Sequence, residues 1–321
     1  MTTPPRLAAP LAGALTILLA FFGACAPESD PHAGPRTIVC TTGMIADAAR
    51  AIAGDHAEVV TLMGPGVDPH LYAPTRSDVA QLMSADVVFY NGLLLEGKMT
   101  DALIRAASAG RKVFAVTELI DESELLAPDG FDGHYDPHLW MDPVAWRSAV
   151  VVMRDKLAEL DPDHADSFAA NADAYLASID GLHARSVAAL AAVPEPSRVL
   201  VTAHDAFNYF GRRYGYEVVG VQGISTESEA GVRDIERLIE LIVSRDIRAV
   251  FVESTVSDRN ISALVDGAAA RGHAVRIGGE LYADAMGPPG TPEGTYVGML
   301  DHNVRTISSA LAPPVDATDG P

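Results

Sequence analysis

The chain alternates short runs of β-branched and apolar residues with segments of helical periodicity, and this alternation limits the folds open to it. Strand–helix–strand units of this kind build parallel sheets with helices on their faces. Predicted strands fall into two groups, at residues 37–40, 57–63, 87–91 and 112–116, and at residues 198–202, 217–221, 249–253 and 274–278. Helices are predicted at residues 44–53, 234–244 and 261–271, among others. The sequence therefore predicts an α/β fold of two lobes, each a mostly parallel sheet flanked by helices.

A long segment of helical spacing separates the two groups of strands. Between residues 163 and 193, apolar residues recur mostly every three or four positions, and Pro194 follows directly. About 30 residues of helix would span roughly 45 Å, enough to run along both lobes. We predict one long rigid helix over 163–193. It would join an N-terminal lobe of residues 37–162 to a C-terminal lobe of residues 194–312, with a disordered tail at 313–321.

The N-terminus has the pattern of an export signal. Arg6 precedes a short apolar run at residues 11–24, which is followed by Cys25. The run is short for a membrane-spanning helix, which needs about 20 apolar residues. Its end resembles the lipobox of bacterial lipoproteins, in which the cysteine is lipidated after cleavage; ordinary signal-peptidase cleavage after Ala26 is the alternative. We predict a signal peptide at 1–24 and a lipidated N-terminus and tether at 25–36. The protein would lie in the periplasm or on the outer face of the cell membrane.

Charge and cysteine content narrow the classes further. The chain has 43 acidic and 23 basic side chains, a formal charge of -20, which argues against a nucleic-acid partner. It has two cysteines, Cys25 and Cys40, so no disulfide framework supports the fold. We expect Cys40, at the end of an apolar strand, to be a small buried residue.

Two loops share the tripeptide Asp-Pro-His, at residues 68–70 and 136–138. Proline fixes its own φ and favours an extended residue before it, so a histidine on such a loop loses little freedom on binding a ligand. His204 directly follows a predicted strand, where we also expect a helix to begin, and Asp284 follows another. Open α/β sheets bind ligands beyond the carboxyl ends of their strands, and a cleft between two lobes would bring these residues together.

Three imidazoles and one carboxylate are suitable ligands for a divalent transition metal. Neutral imidazole suits zinc, manganese and iron. Three histidines with one aspartate can complete a four-coordinate shell, or a five-coordinate one if the aspartate is bidentate. The ligands are 68, 66 and 80 residues apart, however, and no short-range metal motif has such spacing. The residues alone therefore leave each position open.

The chain resembles the metal-specific solute-binding proteins of ABC importers, the zinc/manganese receptor or TroA-like family. The motifs that carry the resemblance occur in order along almost the whole chain after the tether: TTGMIADAARAIAGD, MGPGVDPHLYAPT, YDPHLWMDP, VTAHDAFNYFGRRYG, GVQGISTESEAG and IGGELYADAMG. The resemblance implies two lobes joined by one long helix, with one metal ion in the cleft between them. It implies the ligands His70, His138, His204 and Asp284. It further implies a monomer that delivers the ion to an ABC permease and its ATPase.

The resemblance leaves the metal open between Zn²⁺ and Mn²⁺. Family members with Glu at the position of His204 are usually manganese or iron receptors. Many zinc receptors have a histidine-rich loop before the second ligand, where this chain has only His134. We expect His134 to be at most a residue near the site. Four acidic residues are candidates for orienting the imidazoles by hydrogen bonds: Asp68, Asp136, Glu227 and Glu253.

Two other functions fit parts of the sequence. A zinc-dependent hydrolase could use three histidines and a zinc-bound water, but the chain contains no HExxH, nucleophile elbow, P-loop or GxGxxG after a strand. With Asp284 as fourth ligand the shell is closed, which favours storage over catalysis. A surface adhesin is compatible with a lipid anchor, although no sequence feature requires cell adhesion. We therefore predict a receptor and no enzyme activity.

Overall fold

The computed structural model describes residues 1–2, 36–128, 131 and 133–313. From residue 36 onward, the described residues form one compact unit. The predicted signal peptide at 1–24, the lipidation site Cys25, the tether up to residue 35 and the tail after residue 313 lie outside the described residues. These assignments stay predictions.

The described residues form eight strands and nine α-helices. The strands are β1 (Arg36–Cys40), β2 (Ala57–Thr61), β3 (Val87–Tyr90), β4 (Lys112–Ala115), β5 (Val199–Thr202), β6 (Glu217–Gly220), β7 (Ala249–Glu253) and β8 (Arg276–Leu281). The helices are α1 (Gly43–Ala53), α2 (Arg76–Ser84), α3 (Thr100–Ser108), α4 (Pro143–Leu160), α5 (Ala165–Ala191), α6 (Asn208–Tyr214), α7 (Val232–Ser244), α8 (Arg259–Ala270) and α9 (Tyr296–Leu311).

All strand pairs are parallel. The first four strands form one sheet in the order β2-β1-β3-β4, and in the second half β5 pairs with β6 and β7 with β8. Strand β5 also lies beside β7. Helices connect successive strands, as parallel pairing requires. The prediction of mostly parallel sheets flanked by helices is confirmed.

Helices cover the sheets in two ways. In the first half, α2 and α3 pack on one face of the sheet through residues such as Leu82 and Leu103, and in the second half α7 and α8 pack through Ile242 and Leu264. A larger apolar cluster contains residues from both halves and from α1, α4, α5 and α9. Cys40 is part of this cluster and is fully buried, as expected.

The long helix α5 has 27 residues and is therefore about 40 Å long. It packs against α1 and α4 from the first half of the chain and against α9 from the second. The connecting helix is thus confirmed, with shorter bounds than predicted, because residues 162–164 form a 3₁₀ turn and the helix ends at Ala191. In the described part of the chain, no helix is both long and apolar enough to cross a bilayer.

Strand β8 runs from Arg276 to Leu281, whereas the sequence predicted a strand at 274–278. Two adjacent glycines, Gly278 and Gly279, are typical of the end of a strand. In the structure the strand continues through both glycines, and its pairing with β7 is irregular at this point. A side chain at Gly278 would approach Phe251 and Ala310 within 2.8 Å, so the glycines serve close packing here.

Candidate metal centre

Four polar side chains meet in the interior at the carboxyl ends of strands. His70 lies in the loop between β2 and α2, His138 in the loop between β4 and α4, His204 two residues after β5 and Asp284 three residues after β8. Each is at most 4% exposed. The two halves of the chain contribute two residues each, so the structure brings together the four residues that the sequence analysis singled out.

The ligand-type atoms are close to one another. Nε2 of His138 lies 3.3 Å from Nε2 of His70 and 3.3 Å from Oδ1 of Asp284. Oδ2 of Asp284 lies 3.2 Å from Nε2 of His204 and 3.6 Å from Nε2 of His70. One ligand atom from each residue lies within 4.8 Å of all the others. Ligand atoms about 2.0–2.1 Å from a tetrahedral zinc ion are themselves roughly 3.3 Å apart, so this spacing suits one ion.

Three inner atoms of the cluster lack a hydrogen-bond partner among the described residues. Within the part of the chain that the structure describes, no hydrogen bond satisfies Nε2 of His204 or either carboxylate oxygen of Asp284, although all three atoms are buried. Buried polar atoms are almost always paired, because an unpaired one costs about 1–3 kcal/mol. A bound cation would satisfy these atoms, and the residues therefore form a site that could bind one metal ion.

The two Asp-Pro-His loops use their aspartates in the same way. Oδ1 of Asp68 accepts the backbone N–H of His70 at 2.8 Å, and Oδ1 of Asp136 accepts that of His138 at 2.9 Å. Each Oδ2 then accepts a hydrogen bond from the second half of the chain: from Thr226 at 2.6 Å in the first loop and from Asn208 at 3.1 Å in the second. In both loops, the aspartate side chain therefore bonds the backbone of its own loop and also a residue of the second half of the chain. Asp136 also lies 2.7 Å from Nδ1 of His138, so it orients the ring itself.

Glu253, at the end of β7, performs the corresponding role for His204. Its carboxylate accepts the backbone N–H of His204 at 2.9 Å and bonds Nδ1 of the ring. With Nδ1 engaged, Nε2 is left facing Asp284. The predicted helix start at His204 is wrong, because α6 begins at Asn208. Thr202 donates to the carbonyl of His204, and this bond together with Glu253 holds the histidine in a non-helical loop.

Two residues that the sequence analysis considered as neighbours of the site do not contact its histidines. Glu227 is exposed, its backbone N–H donates to Ser225, and within the described residues it bonds none of the three histidines. His134 is exposed near Phe131 and is not part of the cluster. The sequence analysis missed Thr226 and Asn208. Neither has a spacing that marks it, since each matters only through the aspartate it faces.

Burial and charge act in opposite directions on the cluster. Burial lowers the pKa of His70 to about 3, although the Asp284 carboxylate acts in the opposite sense. Burial would also lower the pKa of His138, but the carboxylates of Asp136 and Asp284 raise it to about 9. Likewise, Glu253 and Asp284 overcome burial and hold the pKa of His204 well above its usual value. Burial would raise the pKa of Asp284, but His204 and His138 hold it well below its usual range. The carboxylate is thus ionised and able to face a cation.

Residues 38–310 match the family model described as "Zinc-uptake complex component A periplasmic", the ZnuA family. The chain belongs to this family. Among curated members, the manganese-binding lipoprotein MntA of Bacillus subtilis strain 168 is 49% identical over 274 residues, which cover 85% of this chain and 89% of MntA. The zinc-binding protein TroA of Treponema pallidum is 44% identical over 299 residues, which cover 93% of this chain and 96% of TroA.

A solved structure agrees with the ZnuA-family assignment. The periplasmic zinc-binding protein TroA from Treponema pallidum superposes with a TM-score of 0.85 at 46% identity, covering 87% of this chain and all of the solved chain. The resemblance seen in the sequence motifs therefore holds for the fold as well.

Proposed function

We propose that this chain captures one divalent transition-metal ion, Zn²⁺ or Mn²⁺, and delivers it to the permease and ATPase of an ABC importer. The proposed ligands are His70, His138, His204 and Asp284. One observation carries the proposal: four buried side chains bring their ligand-type atoms within 4.8 Å of one another, and both oxygens of Asp284 lack a hydrogen bond from any described residue. The ion is the transported substrate.

The donor set supports either metal. Three imidazoles suit Zn²⁺ and are tolerated by Mn²⁺, and the carboxylate adds hard-ligand character that manganese favours. The names of MntA, a manganese-binding lipoprotein, and TroA, a zinc-binding protein, support the same pair of candidates.

The surroundings of the cluster favour capture over hydrolysis. A catalytic zinc site keeps a position open for water and needs a nearby carboxylate as base. Here Asp284 supplies the fourth ligand, while Asp136 and Glu253 are both engaged by the histidines they orient. Membership of the ZnuA family supports a receptor without enzymatic activity. No observation in the described residues favours an adhesin.

The proposal extends to the parts of the chain that flank the described residues. Residues 1–24 direct export, and Cys25 carries the lipid that anchors a monomer to the membrane through a tether ending at residue 36. The name lipoprotein, borne by MntA, supports this anchor. Residues 37–162 and 194–312 act as two lobes on either side of the helix at 163–193. Because α5 packs along helices from both halves, we expect opening of the cleft to be a small tilt with loop movement.

Metal titration tests the proposal. The chain from Pro27 keeps the whole compact unit, and after metal removal it is titrated with Zn²⁺ and Mn²⁺ in competition with a chelator. We expect one tight site per chain, lost in His204→Ala and in Asp284→Ala. His183→Ala is a matched control, because His183 lies on α5 near Tyr214 and outside the cluster. Absence of a tight site, together with turnover of ester or phosphate substrates, would favour the hydrolase instead.

A further inference from the structure

The loop that follows β3 has an unusual backbone. Gly92, Leu93 and Leu94 have φ values of 89°, 52° and 66°, so three successive residues are left-handed. For a residue with a side chain, this conformation costs about 1–2 kcal/mol. Two adjacent leucines in this region need support from surrounding bonds, and such strain often accompanies a functional constraint.

A buried carboxylate supplies much of that support. Glu96 is 3% exposed and accepts three hydrogen bonds: from Thr41 Oγ1 at 2.7 Å, from the Asn91 N–H at 2.8 Å and from the Gly92 N–H at 3.1 Å. Glu118 accepts the N–H of Leu93 at 2.9 Å. The first residues of the loop are thus fixed around Glu96 at the carboxyl edge of the sheet.

The Asn91 side chain points from this loop to a neighbouring one. It is 1% exposed, and its Nδ2 donates to the carbonyl of Gly92 at 3.1 Å and to that of Pro137 at 3.0 Å. Because both neighbours are acceptors, only the amide nitrogen can face them. Its Oδ1 is left buried, with no hydrogen-bond partner among residues 36–128, 131 and 133–313. The orientation is therefore kept at a cost of about 1–3 kcal/mol.

Pro137 is the residue directly before His138. Its carbonyl also accepts the N–H of Leu139 at 2.9 Å, so Asn91 and Leu139 fix the peptide next to the histidine. Asp136 orients the ring of His138 but does not contact this carbonyl through its carboxylate. Asn91 therefore holds the backbone of the loop while Asp136 holds the ring.

We propose that Asn91, fixed in place by Glu96, is a positioning residue for His138 that sets the affinity and the coordination geometry of the metal site. This inference rests on the proposed function, since it assumes that His138 is a ligand. A loop that only joined β3 to α3 would need neither an unpaired buried amide oxygen nor two left-handed leucines. The arrangement is explained if the position of the Pro137 carbonyl matters.

The test compares Asn91→Ala with Asn171→Ala. Asn171 on α5 also donates from Nδ2 to a backbone carbonyl, that of Ile52, at 3.0 Å. Ile52 is near the end of α1, just before β2 begins, and so lies at the edge of the sheet opposite the metal cluster. The two variants lose the same kind of hydrogen bond in different places. Each is measured for melting temperature without metal, for Zn²⁺ affinity by chelator competition, and for the visible absorption of bound Co²⁺.

We expect both variants to lose stability, but only Asn91→Ala to lose affinity, by about tenfold, and to change the intensity or position of the Co²⁺ bands. Unchanged affinity and an unchanged Co²⁺ spectrum in Asn91→Ala would overturn the inference, as would an equal effect in Asn171→Ala. If the unsubstituted chain has no tight site, the proposed function fails with it; if that chain binds tightly and Asn91→Ala binds equally well, only the positioning role fails.

A second variant decides the matter if Asn91→Ala does not fold. Glu96→Gln keeps the shape of the side chain, but its amide nitrogen would replace one carboxylate oxygen. A donor would then face either the Gly92 N–H or the Asn91 N–H. We expect the same change in the Co²⁺ spectrum and a smaller loss of Zn²⁺ affinity. A folded Glu96→Gln protein with unaltered metal binding would contradict the positioning role.

Discussion

Thr226 donates a hydrogen bond of 2.6 Å to Asp68, a residue 158 positions earlier in the chain. The same Asp68 accepts the backbone N–H of His70, so the loop that carries His70 is tied to the second half of the chain through one carboxylate. His138 has an equivalent tie through Asp136 and Asn208, and its ring has a carboxylate partner besides. The hydrogen bond from Thr226 is therefore one way in which the second half of the chain holds the His70 loop.

Thr226→Val should speed metal release. Valine has nearly the shape of threonine but cannot donate to Asp68, so the His70 loop loses its bond to the other half. We expect the dissociation rate of Zn²⁺ to rise by about tenfold, the effect of losing roughly 1.4 kcal/mol. The rate is measured by mixing loaded protein with excess chelator in a stopped-flow instrument.

Thr255→Val is the control for that experiment. The hydroxyl of Thr255 is buried but has no hydrogen-bond partner in the described structure, so its loss removes no bond seen there. We expect release at the rate of the unsubstituted protein. Equal rates in both variants would show that Thr226 does not restrain the loop.

Glu253→Gln should weaken metal binding by about 10- to 100-fold. Glutamine cannot accept from both the backbone N–H and Nδ1 of His204, as Glu253 does. If its nitrogen faces Nδ1, the ring proton moves to Nε2, the atom that the ion needs. Chelator competition measures the affinity, and Glu227→Gln serves as control because Glu227 is exposed and away from the histidines. A loss of the same size in both variants would contradict this explanation.

Strand positions were largely predictable from the sequence, because buried parallel strands such as β3 and β7 are short apolar runs. The error at β8 came from glycines that close packing against Phe251 requires, and such packing cannot be seen in a one-dimensional pattern. Helices α4 and α9 are not among the segments named from the sequence as examples, although they have the same spacing. In α4, for example, Trp146, Val150 and Met153 are buried at intervals of three and four.

The site was predictable only in part. The repeated Asp-Pro-His and the order of motifs pointed to the four residues that the structure brings together. Polar residues such as Thr226, Asn208 and Asn91 gave no signal, because their roles depend on which carboxylate or carbonyl the fold places opposite them. The sequence analysis treated Glu227 and Glu253 as equal candidates. Only Glu253, at the end of β7, lies against a histidine, His204.

Metal binding should release protons and weaken steeply on acidification. The pKa of His138 is raised to about 9 and that of His204 lies well above its usual value, so both rings are charged near pH 7 before a cation binds. A metal needs neutral Nε2 atoms, and binding therefore expels up to two protons. Below the raised pKa values, each expelled proton weakens the apparent affinity about tenfold per pH unit of acidification.

Calorimetry in two buffers of different ionisation enthalpy counts these protons. We expect a release of between one and two at pH 7, with a smaller number as the pH approaches 9. Without metal, protonation of His138 and His204 stabilises the fold most fully at pH values below the usual histidine pKa. This stabilisation is lost as the pH rises through the raised pKa values of the folded chain. Proton-neutral binding at pH 7 would contradict the charge arrangement described for the cluster.

The stability of Asp47→Asn relative to that of the unsubstituted chain should be greater at neutral pH than at acidic pH. Asp47 lies on α1 between α5 and α9, where Oδ2 accepts from Tyr175 Oη at 2.8 Å and from the Tyr296 N–H at 3.1 Å. Burial raises the pKa of Asp47, only partly opposed by these bonds and Arg50. A carboxyl whose pKa is raised resists ionisation in the folded chain. The free energy of unfolding therefore falls as the pH rises from the pKa of the unfolded state through that of the folded state.

Asparagine keeps an oxygen that can accept from the Tyr175 hydroxyl and from the Tyr296 N–H. It carries no charge, so the substitution removes only the cost of ionising the carboxyl group. The difference in melting temperature between Asp47→Asn and the unsubstituted chain is therefore expected to shift in favour of the variant between pH 4 and pH 7. Thermal unfolding without metal, followed at several pH values, measures it. Tyr175→Phe is the complementary change: it removes one bond to the carboxylate, raises the cost of ionisation further and should move the difference in the opposite direction. A difference that stays constant with pH would mean that Asp47 ionises equally well in the folded and unfolded chains.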